Sequence, residues 1–258
     1  MLPLSWPVLA IGMLIVFGAG IVRGFAGFGF SALCVAGLTL FASPAAVVPP
    51  IFVLEVLASL SLLRGALKDA DWPWLSWLVL GNALFIPLGI ALLAWVPETP
   101  LRLLIGALLL SAAVLLRSGF SLALAPTRAT RLTTGLVSGF VNGVAAIGGI
   151  AVAVLLSTAQ MAPAAMRGTM IVLFLFTDLY ALAWAGVVSW NMPEQSSLLG
   201  LQTLLWAAWL APAMLGGIWL GQRAFAGVSP AQFRCHVLNL LILIALISVI
   251  RALLALGS

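Results

Sequence analysis

Residues 20–29 read Gly-Ile-Val-Arg-Gly-Phe-Ala-Gly-Phe-Gly, and residues 139–148 read Gly-Phe-Val-Asn-Gly-Val-Ala-Ala-Ile-Gly. The two runs lie 119 residues apart, and the same shift lays Pro44 on Pro163 without a gap. Shared Ala and Val mean little in an apolar chain, but three glycines and a proline in register mark an internal repeat. Each run also interrupts an apolar stretch that is too long. Residues 6–42 would make a helix of roughly 55 Å at 1.5 Å per residue, against a hydrocarbon core of about 30 Å. Gly24, Gly27 and Gly29 sit in its middle, where glycine weakens a helix and permits left-handed backbone. Residues 132–161 repeat the situation around Gly143, Gly148 and Gly149. Two readings compete for these stretches: a long, tilted, kinked helix, or a re-entrant hairpin of two half-helices with its tip inside the membrane.

Composition explains why a membrane is in question. Of 258 residues, 64% are apolar and 7% charged, and mean hydropathy is +1.26. Soluble chains carry about a quarter charged residues, so a soluble enzyme, a nucleic-acid binder and a disordered chain are excluded. The net charge of +5 comes from Lys and Arg scattered singly between apolar runs, not from a basic stripe. Long continuous runs argue for helices, since backbone polar groups in lipid must be satisfied internally. Eight hydrophobic stretches are expected, near 6–42, 44–64, 73–96, 100–117, 132–161, 163–188, 196–221 and 230–255. The expected fold is an all-α integral membrane protein occupying residues 1–258 as one domain, with repeats at about 6–117 and 132–255. Counting the broken stretches either way gives eight to ten helices.

The basic residues arbitrate between kink and hairpin. Eight simple crossings split ten of them almost evenly between the two sides. With hairpins, Arg64, Lys68, Arg117, Arg128, Arg131, Arg167, Arg223 and Arg234 share one side, with Arg102 and Arg251 opposite. The lopsided count is what the positive-inside rule expects. Each half then crosses three times, so the halves are inverted and the tips enter from opposite faces, a recurring transporter plan.

Arg23 lies deep in an apolar stretch, where an arginine costs at least ~2.5–3.5 kcal/mol and faces a partner or a water-filled path. Its guanidinium can hold an anion bidentately, helped by free backbone N–H groups at a half-helix start near Ser31. A structural ion pair with Glu55 is the competing reading. Asn142 is the repeat counterpart of Arg23 and can hydrogen-bond an oxyanion or cap its own break. Glu55 and Asp178 are the mid-stretch acids. The repeat places them four residues apart on equivalent helices, one turn apart on the same face, where buried carboxyls suit proton coupling. Asn82, Gln160, Gln202 and Asn239 read as interhelical hydrogen-bonding residues.

Membrane enzymes fail a motif test: no His-Glu-x-x-His, no Gly-x-Ser-x-Gly beside a usable histidine, no nucleotide-binding loop and no acid-rich metal cluster. Cys34, Cys235 and His236 form neither a disulfide framework nor a metal site, so no cofactor or metal is expected. The doubled arrangement resembles the TauE/SafE sulfite-exporter family: Gly20, Gly24, Gly27, Phe28, Gly29 and Pro44, then Gly139, Gly143, Gly148, Gly149, Pro163 and Arg167-Gly-Thr. The resemblance covers essentially the whole chain. It implies a multi-pass transporter of the bacterial inner membrane, exporting a small sulfur-containing anion such as sulfite or an organosulfonate like sulfoacetate. It also implies a substrate region at the two breaks, matching Gly24 to Ser31 and Gly143 to Ile150. Many relatives carry a proline shortly after each glycine motif, which this chain lacks. The expected partners are the small anion and the bilayer, with a homodimer plausible and no nucleic acid. A passive anion channel, an inward permease and a non-transporting membrane scaffold stand as alternatives.

Overall fold

The computed structural model describes residues 6–118, 127–158, 161–190, 197–223 and 230–256, so Gln160 lies outside the described residues. Among these the chain is entirely helical. The order is α1 (Trp6–Ala26), α2 (Phe30–Leu38), α3 (Pro44–Asp69), α4 (Trp72–Trp95), α5 (Glu98–Arg117), α6 (Arg128–Ala145), α7 (Gly149–Thr158), α8 (Pro163–Trp190), α9 (Leu201–Arg223) and α10 (Pro230–Leu256). Six of the eight expected stretches are single helices, and the two long ones each divide at the glycine-rich break. Among the described residues, seven helices are long and apolar enough to cross a membrane: α1, α3, α4, α5, α8, α9 and α10. The other three fall short of that measure, because α2 and α7 are short and α6 opens on the polar run Arg128–Thr134. Side chains such as Leu14, Leu84, Trp190, Leu201 and Leu254 are largely exposed, as lipid-facing residues must be and a water-facing surface could not tolerate.

The breaks follow from backbone conformation. Gly27 (φ 81°) and Gly29 (φ 91°) are left-handed, which glycine adopts without steric cost. In the second copy the left-handed residue is Ala146 (φ 58°), the counterpart of Gly27. One backbone bond closes both first arms at the same register: Gly27 N–H to Arg23 O at 2.8 Å, and Ala146 N–H to Asn142 O at 2.7 Å. Beyond the break the chain turns back. Gly29 faces Val22 and Gly37 faces Ile15, so α2 runs antiparallel along α1. The arms are unequal, 21 and nine residues in the first copy, 18 and ten in the second.

Glycines also set which helices touch. Gly81 and Gly89 of α4 meet Gly135 and Gly143 of α6, backbone against backbone, with Gly139 on the backbone of Asn82; in the same way Gly20 of α1 meets Gly217 of α9, with Gly24 on Ile218 and Gly221 on Ile21. Small residues at four-residue spacing let two helices approach this closely. Each first arm is therefore clasped by a helix from the other half of the chain. The remaining large interfaces pair α3 with α8 and α5 with α10. The end of α3 (Ala66–Ala70) abuts Gly168 near the start of α8. Arg117 at the end of α5 donates to Asn239 near the start of α10 at 2.9 Å, while Gly106 meets Val249; both pairs are antiparallel. Asn82 likewise ties α4 to α6, accepting from Ser138 at 3.2 Å.

Candidate functional site

Arg23 sits one turn before the first break and is fully buried. Its Nη1 donates to Gly27 O at 2.9 Å and its Nη2 to Ser59 Oγ at 2.8 Å. Nη2 also lies 3.2 Å from Glu55 Oε2, and the guanidinium stands 4.6 Å from the centre of the Phe174 ring. The ion pair with Glu55 is thus present, but it leaves polar capacity unused: Arg23 Nε and Glu55 Oε2 have no hydrogen-bond partner. The other carboxylate oxygen, Oε1, accepts from the backbone N–H of Ser31 at 3.2 Å. Ser31 lies in the first turn of α2, where N–H groups have no partner within the helix. Glu55 therefore bridges the guanidinium and the α2 N-terminus.

The second break is built to the same plan with other side chains. Asn142 Nδ2 donates to Asp178 Oδ1 at 3.0 Å, and Asn142 Oδ1 accepts from Gly148 N–H at 3.3 Å. The amide caps its own break and grips the following long helix. Arg23–Ser59 and Asn142–Asp178 are the same contact in the two repeats, related by the 119-residue shift. Gly149 lies against the Phe174 ring, and Arg23 stands over the same ring. Phe174 thus joins the two breaks.

The structure brings Arg23, Gly27, Ser31 and Glu55 together at one tip and Asn142, Gly148, Gly149 and Asp178 at the other. Gly24 and Gly143 are placed differently: they face α9 and α4 and bring the arms close to those helices. Glu55 and Asp178 lie on equivalent helices but are not repeat counterparts. The counterpart of Asp178 is Ser59, and that of Glu55 is Phe174.

Phe28 and Gly29 line a cavity of about 500 Å³ between the first break, Ile150, the start of α8 and Leu238 of α10. Arg167 is the charged residue among the described ones lining it. Its stem covers Gly27 and its Nη2 donates to Gly24 O at 3.0 Å. A second pocket, of about 350 Å³, holds Arg102 and Arg251. Both serve the chain that follows α2: Arg102 bonds Thr39 O, Ala42 O and Glu98, and Arg251 donates to Leu40 O at 3.1 Å.

Sequence reasoning missed Ser59 and Phe174, which the structure puts against Arg23, and had Arg167 only within its Arg-Gly-Thr motif. The repeat itself carried the signal for two of them, since shifting Asp178 and Glu55 by 119 lands on Ser59 and Phe174.

Among the described residues, seven helices of membrane length, one of them the first arm of a broken stretch that carries a buried arginine, define a multi-pass integral membrane protein. The profile of the sulfite exporter TauE/SafE family matches residues 12–248. The chain belongs to the TauE/SafE sulfite exporter family, a family of membrane transporters. No curated protein and no solved structure gives a match.

Proposed function

We propose that the protein is a secondary transporter that exports a small sulfur-containing anion, sulfite or an organosulfonate such as sulfoacetate, by alternating access. The observation that carries this is Arg23, a fully buried cation where the two breaks meet. A guanidinium inside a membrane protein is costly and calls for a charged partner or an ion path. The oxyanion is held by Arg23, the backbone at Gly24–Ser31 (with Gly27, Phe28 and Gly29), and Asn142 with Gly143, Gly148 and Gly149 in the other half. The Arg167 cavity is its way in. Glu55 or Asp178 couples the movement to protons.

The halves, about 6–117 and 132–255, act as inverted repeats whose rocking alternates access. The antiparallel pairing of α3 with α8 and of α5 with α10 supports this, because each pair joins repeat-equivalent helices. The membrane is the bacterial inner membrane, with the side rich in Lys and Arg in the cytoplasm.

Flux of labelled sulfite, sulfoacetate and sulfate in proteoliposomes tests the reading, wild type beside Arg23→Gln. A sulfur anion should move in the wild type and at least tenfold more slowly in the variant. Wild-type liposomes that move none of the three anions, with or without a pH gradient, contradict the proposal.

A further inference from the structure

Two of the donors that an incoming oxyanion would use at the first break already face a carboxylate of the chain itself. Glu55 presents one oxygen to Ser31 N–H and the other to Arg23 Nη2, the same two types of donor that a sulfonate would span. Its side chain is 3% exposed, so a cargo oxyanion has no room beside it on those atoms. Arg23 Nε, buried and without a partner, and Glu55 Oε2, buried and accepting no hydrogen bond, show a pair that fills the site incompletely. Glu55 divides its two oxygens between Arg23 and Ser31 and so offers the guanidinium only one, whereas a free oxyanion can give the fork two parallel bonds.

We infer that Glu55 is a tethered stand-in for the cargo: its carboxylate and the transported anion exclude one another from Arg23 and the α2 N-terminus, so the anion binds only when Glu55 has taken a proton from water and let go. This rests on the anion site proposed above and specifies how it is regulated. Protonation turns the carboxylate into a neutral carboxylic acid and releases Arg23 Nη2 and Ser31 N–H. The anion restores the lost negative charge, so the buried cluster keeps its net charge and one proton enters with each anion. The charged and titratable groups that face Glu55 are Arg23 of α1, Cys34 of α2 and Asp178 of α8, with Arg167 of α8 beside Arg23. Asp178 is the one that could imitate the effect, and it is held instead by Asn142.

Methanesulfonate, whose charge is constant between pH 5 and 9, is the probe, and binding to the purified full-length protein is measured by calorimetry. With one proton taken up per anion, wild-type affinity should fall about tenfold per pH unit wherever Glu55 is ionised. Glu55→Gln should bind at every pH as tightly as the wild type does at its lowest pH, with no slope, whereas Glu55→Asp should keep the slope. Proton uptake by weakly buffered wild-type protein, followed with a pH indicator, should approach one per anion and needs no variant to fold. A flat wild-type profile, no proton uptake, or a slope surviving in Glu55→Gln overturns the inference while leaving the anion site intact. The site itself fails if Arg23→Gln binds methanesulfonate like the wild type, or if no form of the protein binds it; either result removes the inference with it.

Discussion

Arg23→Leu should be the most damaging single substitution in the protein, destabilising it by about 3–5 kcal/mol and abolishing anion flux. Removing one member of a buried ion pair leaves the other charge uncompensated, which is the costly direction. Here the orphan is Glu55, 3% exposed, and Ser59 Oγ and Gly27 O lose their donor at the same time. A second substitution separates stability from function. Replacing both members of a buried pair by apolar residues of similar size is often neutral, so Arg23→Leu with Glu55→Leu should recover most of the lost stability. Flux should not return, because the cation that holds the cargo is still missing. Thermal unfolding in detergent and proteoliposome flux, run on both variants, check the two halves of this expectation. A double variant that transports like the wild type would reduce Arg23 to a structural residue.

Gly143→Leu should have the second largest effect. A Cβ at this position would lie 2.5 Å from Ile86 O, 2.9 Å from Gly89 Cα and 3.0 Å from Ile90 N, all backbone atoms of α4 that cannot rotate away. Forcing extra atoms into a packed interface costs about 1–3 kcal/mol, and a backbone-to-backbone contact belongs at the upper end. The consequence reaches the site because Asn142 is the adjacent residue and holds both Gly148 and Asp178. α6 displaced from α4 carries that amide with it, so flux should fall together with the melting temperature. Gly65→Ala is the matched control: nothing lies within 4 Å of its Cβ position, and replacing an open glycine within a helix should leave stability unchanged or raise it by roughly 0.5–1 kcal/mol. Equal melting temperatures for Gly143→Leu and the wild type would contradict the clasp of α6 by α4.

The positions of the breaks were legible in the sequence because clustered glycines weaken a helix wherever they fall in an apolar stretch. Both half-helices begin where the glycine spacing puts them, at Phe30 and Gly149. What could not be read was the reason for individual glycines. Gly27 is needed for its conformation, but its counterpart Ala146 adopts the left-handed region without glycine, held there in the turn that Asn142 caps. Gly148 and Gly149 are glycines for space, next to Ser138 and the Phe174 ring. Glycine spacing is visible in one dimension, whereas the neighbour that demands it can come from a helix dozens of residues away. The acids show the same limit. Their depth in apolar stretches was plain, and so was a Glu55–Arg23 pairing as one of two readings. That Glu55 also reaches Ser31 N–H depends on α2 folding back along α1, which only three-dimensional packing decides. The repeat puts Glu55 and Asp178 four residues apart on equivalent helices, which makes Ser59 the counterpart of Asp178. The shift relates the Arg23–Ser59 contact to the Asn142–Asp178 contact, but that either pair touches is decided by packing.

The central claim is that the cargo's oxyanion occupies the first break, between Arg23 and the start of α2. Crystals of the protein with 2-bromoethanesulfonate test it directly, because the bromine marks the ligand through its anomalous scattering. The sulfonate is expected on Arg23 and the Ser31 N–H with Glu55 turned away from both, and the bromoethyl group towards the cavity lined by Phe28 and Arg167. A sulfonate found instead in the pocket of Arg102 and Arg251, with the Arg23–Glu55 pair undisturbed, would contradict it.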